Sequence, residues 1–291
     1  QTLETAELGP TESETTMGLL QSVQLLDELI EHHRFRFMAQ PIYEIGTNGK
    51  AIYHYGSEML AREQVGLPGG GQVPPNILFE MARARGRWAE LDEAFFASAL
   101  SMPTQGLGRL FINLHVDSLM RDSIAELIAG AALTMQSQGG MVVELSEHIP
   151  VDDWATVRSR MEELTALGIK FALDDFGAGH ANFQAVLDAP MHYVKLDKTL
   201  VRDVEKNDRR KRLYNDVVAL IRGADIGVVC EGIETIDQYW IAIEAGCHFL
   251  QGYYLGRPAA FNDGQTETGQ VTVDEQAEEP VKDRLVLVGR K

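Results

Sequence analysis

The chain has little positive charge for its size. Lys and Arg together number 26 against 43 Asp and Glu, which gives a formal net charge of −17 at pH 7. Proteins that bind nucleic-acid polymers need a basic surface to displace the counterions of the phosphate backbone. The composition therefore argues against a nucleic-acid polymer as a partner, and any anionic substrate needs local cations around it.

Cysteine and long apolar runs are also scarce. The 291 residues contain two cysteines, Cys230 and Cys247, without the spacing of a zinc site. We therefore expect no disulfide framework and a cytoplasmic location. No apolar run reaches the roughly 18 residues that a membrane-spanning helix requires. The chain itself is thus expected to carry no membrane segment.

Composition divides the chain into three parts. Residues 1–16 are polar, acidic and aperiodic, which predicts a disordered leader or linker. Residues 17–260 form the expected folded domain, and residues 261–291 read as an acidic C-terminal tail. The chain begins at Gln1 and not at Met, so we expect it to be part of a longer protein.

Apolar stretches that end in a polar residue are the most informative feature of the sequence. Their ends are Asn113, Glu144, the pair Asp174 and Asp175, Lys195, Glu231 and Gln251. Runs of this kind are typical of strands that are buried on both faces. The segments between them have helical periodicity, for example residues 154–166 and 210–222. The alternation predicts a TIM-like (β/α)8 barrel whose strands all end at one mouth.

The region before these stretches predicts further elements. Apolar residues at helical spacing indicate a helix over residues 17–32, and a first strand is expected at 35–43. Residues 66–75 contain four glycines and three prolines and are expected to form a loop. Helices are expected at 77–85 and 88–100.

The strand ends carry chemistry if the barrel forms. Asn113, Glu144, Asp174, Asp175 and Glu231 would bring four carboxylates and one amide to the mouth. Hard oxygen donors suit Mg²⁺ or Mn²⁺, and a pair of such ions is a recurrent solution for phosphodiester hydrolysis. Taken singly, an acid at a strand end is more often a helix cap or half of a salt bridge. Five such groups at equivalent positions favour a metal site.

Eight ordered motifs resemble those of EAL-domain proteins. They are Gln40-Pro41-Ile42, Glu58-Met59-Leu60-x-Arg62, Asn113, Glu144-x-x-Glu147, Asp174-Asp175-Phe176-Gly177, Lys195-x-Asp197, Glu231-Gly232-x-Glu234 and Gln251-Gly252-Tyr253. The resemblance covers roughly residues 20 to 260 and implies a cyclic di-GMP phosphodiesterase of the EAL type. Such a protein opens cyclic di-GMP to linear pGpG on a TIM-like barrel with two divalent cations, Mg²⁺ or Mn²⁺.

The resemblance also assigns roles to single residues. It implies metal ligands at Glu58, Asn113, Glu144, Asp174, Asp175 and Glu231. It implies catalytic roles for Lys195, Glu231, Glu234 and Gln251, in which Lys195 orients or stabilises the attacking water. Gln40 and Arg62 would contact substrate, while Glu147 and Asp197 would support the ligands from behind. A homodimer and an upstream sensor or GGDEF-type domain are expected on the same basis.

One loop departs from the family pattern. After the paired aspartates the family usually has Asp-Phe-Gly-Thr-Gly-Tyr-Ser-Ser, whereas this chain has Ala178, His180 and Ala181 in place of Thr, Tyr and the first Ser. Because these hydroxyls could hold one loop conformation, their loss predicts a slow or conditional enzyme.

Two alternatives to an enzyme stay open. The first is a receptor that binds cyclic di-GMP without turnover, and the second is a protein-interaction module that uses the barrel surface. Receptors and interaction modules commonly lose several of the ligand acids. All of them are present here, which favours the enzyme.

Overall fold

The computed structural model describes residues 23–32, 35–47, 51–63, 75–146, 154–179, 183–260 and 270–272. The described residues divide into two compact units, one within Gln1–Arg36 and Ala61–Ser98 and the other within Phe37–Leu60 and Ala99–Lys291. The expected leader at 1–16 and the glycine-rich stretch before Pro75 lie outside the described residues.

Helices make up most of the described part of the first unit. They are α1 at 23–32, α2 at Pro75–Ala84 and all but the end of α3 at Trp88–Leu100. Pro75 opens α2 two residues before the predicted start, because the fixed φ of proline suits the first helical position. Arg87 pairs with Asp27 of α1 and with Glu90 of α3. The predicted bounds of α3 are confirmed.

Eight strands of the sheet close into a barrel. The strands are β1 at Phe35–Ile45, β2 at Ala51–Glu63, β3 at Arg109–Leu114, β4 at Met141–Ser146, β5 at Lys170–Phe176, β6 at Tyr193–Leu196, β7 at Gly227–Cys230 and β8 at Phe249–Leu250. They pair in chain order from β2 to β8, and β1 closes the ring by pairing with both β8 and β2. The expected TIM-like barrel is confirmed.

The direction of the first strand corrects the sequence analysis. Strands β2 to β8 are parallel, but β1 pairs antiparallel with β8, with Tyr43 opposite Leu250. Only residues 46–50 lie between β1 and β2, too few for the helical crossover that a parallel pair needs, so the chain reverses directly. The carboxyl ends of β2 to β8 face the mouth, whereas β1 faces it with its amino-terminal end. The expectation that all strands end at one mouth is therefore wrong for β1.

Helices alternate with the strands after β3. They are α4 at Val116–Leu119, α5 at Asp122–Met135, α6 at Trp154–Ala166, α7 at Phe183–Asp188, α8 at Lys198–Val201, α9 at Asp208–Arg222 and α10 at Ile236–Ala245. The bounds of α6 are as predicted. Helix α9 begins two residues before the prediction because the Asn207 side chain accepts hydrogen bonds from the first-turn amides.

Each strand contributes one side chain to an apolar layer inside the barrel. The layer consists of Ile42, Tyr55, Phe111, Val142, Ala172, Tyr193, Val229 and Phe249. The ring centroids of Tyr55 and Phe249 lie 4.5 Å apart, and those of Phe111 and Tyr193 lie 5.7 Å apart. This layer fills the barrel, which is therefore a packed core and not a channel.

Two short strands extend the sheet beyond the barrel. Strand β9 at Ala259–Ala260 pairs with β1, and β10 at Gln270–Thr272 pairs antiparallel with β2. Three residues of the expected tail therefore pair with the barrel, and the rest of 261–291 lies outside the described residues. None of the described helices is long and apolar enough to cross a bilayer.

The apolar layer should contribute strongly to stability. Replacing the fully buried Phe111 with Ala leaves a cavity in the centre of the barrel. We expect Phe111→Ala to lower the free energy of unfolding by about 3–5 kcal/mol in a urea titration. Leu133→Ala is the control, because this side chain is 74% exposed, and it should change the value by less than about 0.5 kcal/mol. Equal losses in both variants would contradict this account of the core.

Candidate active site

A second layer of side chains, all polar, lies one step closer to the mouth. Strand residues two apart share a face, so on β3 to β8 the residue two positions beyond the apolar-layer residue also points into the barrel. On β3 to β8 these positions are Asn113, Glu144, Asp174, Lys195, Glu231 and Gln251. Because β1 runs in the opposite direction, its equivalent residue is Gln40, two positions before Ile42.

Lys195 is the centre of this layer. Its side chain is 1% exposed. Its ammonium nitrogen lies 2.8 Å from Glu144 Oε1, 2.8 Å from Glu231 Oε1 and 2.9 Å from Asp174 Oδ1. A fourth carboxylate, Glu58 Oε2, is 3.3 Å away. Strands β2, β4 and β5, and the residue directly after β7, thus each place one carboxylate beside the same ammonium.

Two amides connect the carboxylates further. Asn113 Nδ2 donates to Glu58 Oε1 and to Glu144 Oε2, both at 3.2 Å. Gln251 Nε2 donates to Glu58 Oε2 at 2.7 Å. The other amide atom, Gln251 Oε1, is buried and has no hydrogen-bond partner among the described residues. It is therefore available to accept from a water or to contact a cation.

A bulge lets neighbouring aspartates serve one site. Asp175 has a φ of +57°, and the pairing of β5 with β6 shifts register between Leu173 and Phe176. The bulge interrupts the alternation that would send the two carboxylates to opposite faces. Oxygens of Asp174, Asp175 and Glu231 consequently lie within 4.8 Å of one another.

Burial and mutual repulsion perturb the ionisation of these groups. Burial raises the pKa of Glu144 well above its ordinary value, and Lys195 only partly opposes this. Burial likewise raises the pKa of Glu231 to about 8. For Lys195, burial disfavours the charge, but the carboxylates around it outweigh this effect and raise its pKa well above the usual value. Additional cations in this layer would favour the ionised form of Glu144 and Glu231.

The layer opens into a cavity of about 240 Å³ at the mouth. Its walls are formed by Gln40, Glu58, Asp174, Asp175, Lys195, Lys198, Glu231, Gly232, Glu234, Gln251, Gly252 and Tyr253. Sequence reasoning gave no role to Lys198, the first residue of α8, or to Tyr253. The signal for Lys198 was its position directly after Asp197, and Tyr253 is itself the last residue of the motif Gln251-Gly252-Tyr253.

Gln40 is buried and donates from Nε2 to Gly256 O at 3.2 Å. The exposed Glu234 lies in the cavity wall, and its backbone amide donates to Gln238 Oε1. Asp197 caps α8, since its carboxylate accepts from Thr199 N at 2.8 Å, which gives it a structural role. Glu147 and the side chain of Arg62 lie outside the described residues, as do 180–182 of the altered loop.

Fold and site together define a TIM-like barrel protein with an acidic, lysine-centred cavity at the carboxyl ends of its strands. The EAL domain family model matches residues 23–258 of the chain. The chain therefore belongs to the EAL domain family.

Relatives of known name support this assignment. The cyclic di-GMP phosphodiesterase PdeL of Escherichia coli (strain K12) is 28% identical over 243 residues, which cover 80% of this chain and 65% of PdeL. The crystal structure of the Xanthomonas citri FimX EAL domain in complex with c-di-GMP superposes with a TM-score of 0.73 at 16% identity. It covers 86% of this chain and 98% of that structure. The chain spans less than two thirds of the length of the curated relatives that it matches first.

The lysine at the centre should be necessary for stability when no divalent cation is present. Lys195→Met leaves buried carboxylates without their cation, and we expect the free energy of unfolding to fall by about 3–5 kcal/mol at pH 7 in EDTA. Lys211→Met is the control, because its ion pair with Glu244 is exposed and should contribute less than about 1 kcal/mol.

The pH dependence of this loss has a defined sign. Burial raises the pKa of Glu144 in the folded state above its unfolded value, so its protonation favours the fold as the pH falls. The difference between Lys195→Met and the parent should therefore shrink between pH 7 and pH 5. A loss that grows at pH 5 would show that carboxylate repulsion is not its cause.

Proposed function

We propose that this chain hydrolyses cyclic di-GMP to linear pGpG at the mouth of its barrel, with two divalent cations, Mg²⁺ or Mn²⁺. The observation that carries the proposal is the contact of four carboxylates with the buried ammonium of Lys195 at 2.8–3.3 Å. A salt bridge that served only stability would need one carboxylate for one ammonium. The excess of buried acid is otherwise a cost.

The charge of the site supports two cations. Glu58, Glu144, Asp174, Asp175 and Glu231 carry five negative charges when ionised, and Lys195 neutralises one of them. Four charges remain, which two divalent cations would balance. The donors are carboxylate and amide oxygens, as Mg²⁺ and Mn²⁺ prefer, so the residues present fit these ions.

The ligands divide into two sets. Glu58, Asn113, Glu144 and Asp174 would hold one cation, and Asp174, Asp175 and Glu231 would hold the other. Asp174 would belong to both sets, and the bulge turns its neighbour Asp175 to the same side. When bound, the cations supply positive charge to the phosphodiester and favour ionisation of the attacking water.

In this proposal Lys195 and Gln251 act on that water and on the phosphate. The Lys195 ammonium stays protonated beside its carboxylates and adds fixed positive charge where the transition state gains negative charge. Gln251 is held by its bond to Glu58, and its free Oε1 can orient a water by accepting a hydrogen bond. Glu234, in the same wall, offers a carboxylate to a leaving or arriving proton.

Substrate binding requires cations on this acidic chain. The exposed Lys198 at the cavity wall offers an ammonium to a phosphate, and Gln40 offers its amide to a base edge. Tyr253 is 47% exposed, and the Arg257 guanidinium lies 4.3 Å from its ring centroid. Its uncovered face provides a surface on which a guanine can stack. We assign Arg62 a substrate contact by the family resemblance alone.

The family context agrees with this chemistry. PdeL is named as a cyclic di-GMP phosphodiesterase, and the FimX EAL domain was solved in complex with c-di-GMP. Homodimerisation and an upstream sensor or GGDEF-type domain stay expectations, as does the effect of the altered loop on rate.

The direct test is turnover. The purified chain, incubated with cyclic di-GMP and Mg²⁺ or Mn²⁺, should produce pGpG that chromatography resolves, and EDTA should stop its formation. Binding of cyclic di-GMP without pGpG at any cation concentration would favour the receptor instead. The absence of both binding and product would favour the interaction module.

Loss of one carboxylate charge should abolish turnover without unfolding the chain. Glu58→Gln keeps the shape of the side chain and can still accept from Gln251, but it removes one negative ligand. We expect the rate of pGpG formation to fall at least about a hundredfold. Glu244→Gln, at an exposed ion pair, is the matched control and should retain the parent rate. Full activity of Glu58→Gln would remove Glu58 from the mechanism.

A further inference from the structure

A larger cavity, of about 720 Å³, lies at the opposite end of the barrel. Lys170 at the start of β5, His192 and Tyr193 at the start of β6, Arg222 at the end of α9 and His248 before β8 contribute to its lining. The apolar layer separates it from the mouth. Cavities of roughly 300–1,000 Å³ are the size that binds small molecules.

Cations lie on the floor of the barrel without carboxylate partners. Lys170 Nζ donates to Tyr193 Oη at 3.1 Å, and Tyr193 Oη shares a short hydrogen bond with Tyr55 Oη. The guanidinium of Arg109 lies 5.4 Å from the centroid of the Tyr55 ring. In the part of the chain that the structure describes, neither Lys170 nor Arg109 forms an ion pair.

Arg222 and His248 complete the polar side of the cavity. The Arg222 guanidinium lies against Gly246, where a β-carbon would collide with it. His248 Nδ1 accepts from Val228 N at 3.0 Å, which leaves Nε2–H as the donor of the neutral ring. Arg222, too, has no carboxylate within ion-pair distance among the described residues.

These groups oppose one another electrostatically. Burial and then the charge of Arg109 lower the pKa of Lys170, and burial and then Arg222 lower the pKa of His248. Glu44 and Asp225 also line the cavity, but they form no ion pair with its cations within the described ranges. The amino-terminal face of a barrel usually serves stability. Lys170 and His248 are half-buried and Arg222 is exposed, and an anion bound at this end would supply the counter-charge that no described carboxylate gives them.

We propose that this cavity binds a phosphate-bearing small molecule, with Lys170 and Arg222 contacting phosphate oxygens and His248 donating from Nε2. A guanidinium offers two parallel donors to a phosphate, and an ammonium adds a compact charge. The site is distinct from the mouth, and its occupancy does not depend on cyclic di-GMP hydrolysis.

The test is a calorimetric titration with inorganic pyrophosphate. The full chain is kept in EDTA, so that no divalent cation attracts the probe to the mouth, and NaCl holds the ionic strength constant. Lys170→Met and Arg222→Met should each weaken the affinity at least about tenfold. Arg212→Met is the matched control, because Arg212 lies exposed on the same helix as Arg222, and it should bind like the parent.

A second measurement locates the bound probe. In a ¹H–¹³C spectrum, pyrophosphate should shift the ring signals of His248, which the His248→Gln variant identifies. Failure of the parent to bind, or equal weakening by Arg212→Met, would overturn the proposal. So would binding that leaves the His248 signals in place, because the anion would then sit elsewhere. Thermal unfolding of each variant shows whether a loss of binding reflects a loss of fold.

Discussion

The mouth of the barrel depends on the charge of Lys195. Transferring Glu58, Glu144 and Asp174 out of water costs several kcal/mol per ion, and their mutual repulsion adds to this cost. One ammonium, compact enough to reach all of them, offsets part of it at distances of 2.8–3.3 Å. Because the carboxylates come from different strands, the same contact also fixes how those strands present them. The site is therefore ordered by its own electrostatics before any ligand arrives.

Two layers of side chains turn strand periodicity into this arrangement. Residues two apart on a strand share a face, so Phe111 and Asn113, or Tyr193 and Lys195, are stacked along the barrel axis. The lower residues fill the interior, and the upper residues cannot be solvated from below. Polar groups at the upper level therefore bond one another, or a water or ligand that reaches them from the mouth, which explains the dense network of Asn113, Gln251 and the acids.

This periodicity is also why much of the fold was predictable from sequence. Buried parallel strands appear as apolar runs, and their last polar residue marks the mouth, as Glu144 and Lys195 show. Glu58 escaped this reasoning because β2 reads Ala-Ile-Tyr-His-Tyr-Gly-Ser-Glu, a mixed sequence without an apolar run. The direction of β1 was missed because it is set by pairing with distant β8. The positive φ of Asp175 has no local signature, since glycine is the residue that usually marks that conformation.

The two ends of the barrel carry opposite charge excess, and strand β6 joins them. Tyr193 receives the Lys170 hydrogen bond at the floor, and Lys195, two residues on, meets the carboxylates at the mouth. A strand rises about 3.3 Å per residue, so the Cα atoms of these two residues lie about 7 Å apart. The apolar layer between the ends excludes water, and charges across such a medium interact more strongly than they do in solvent. The same aromatic layer that fills the barrel therefore also separates the acidic mouth from a floor that carries Lys170 and Arg109.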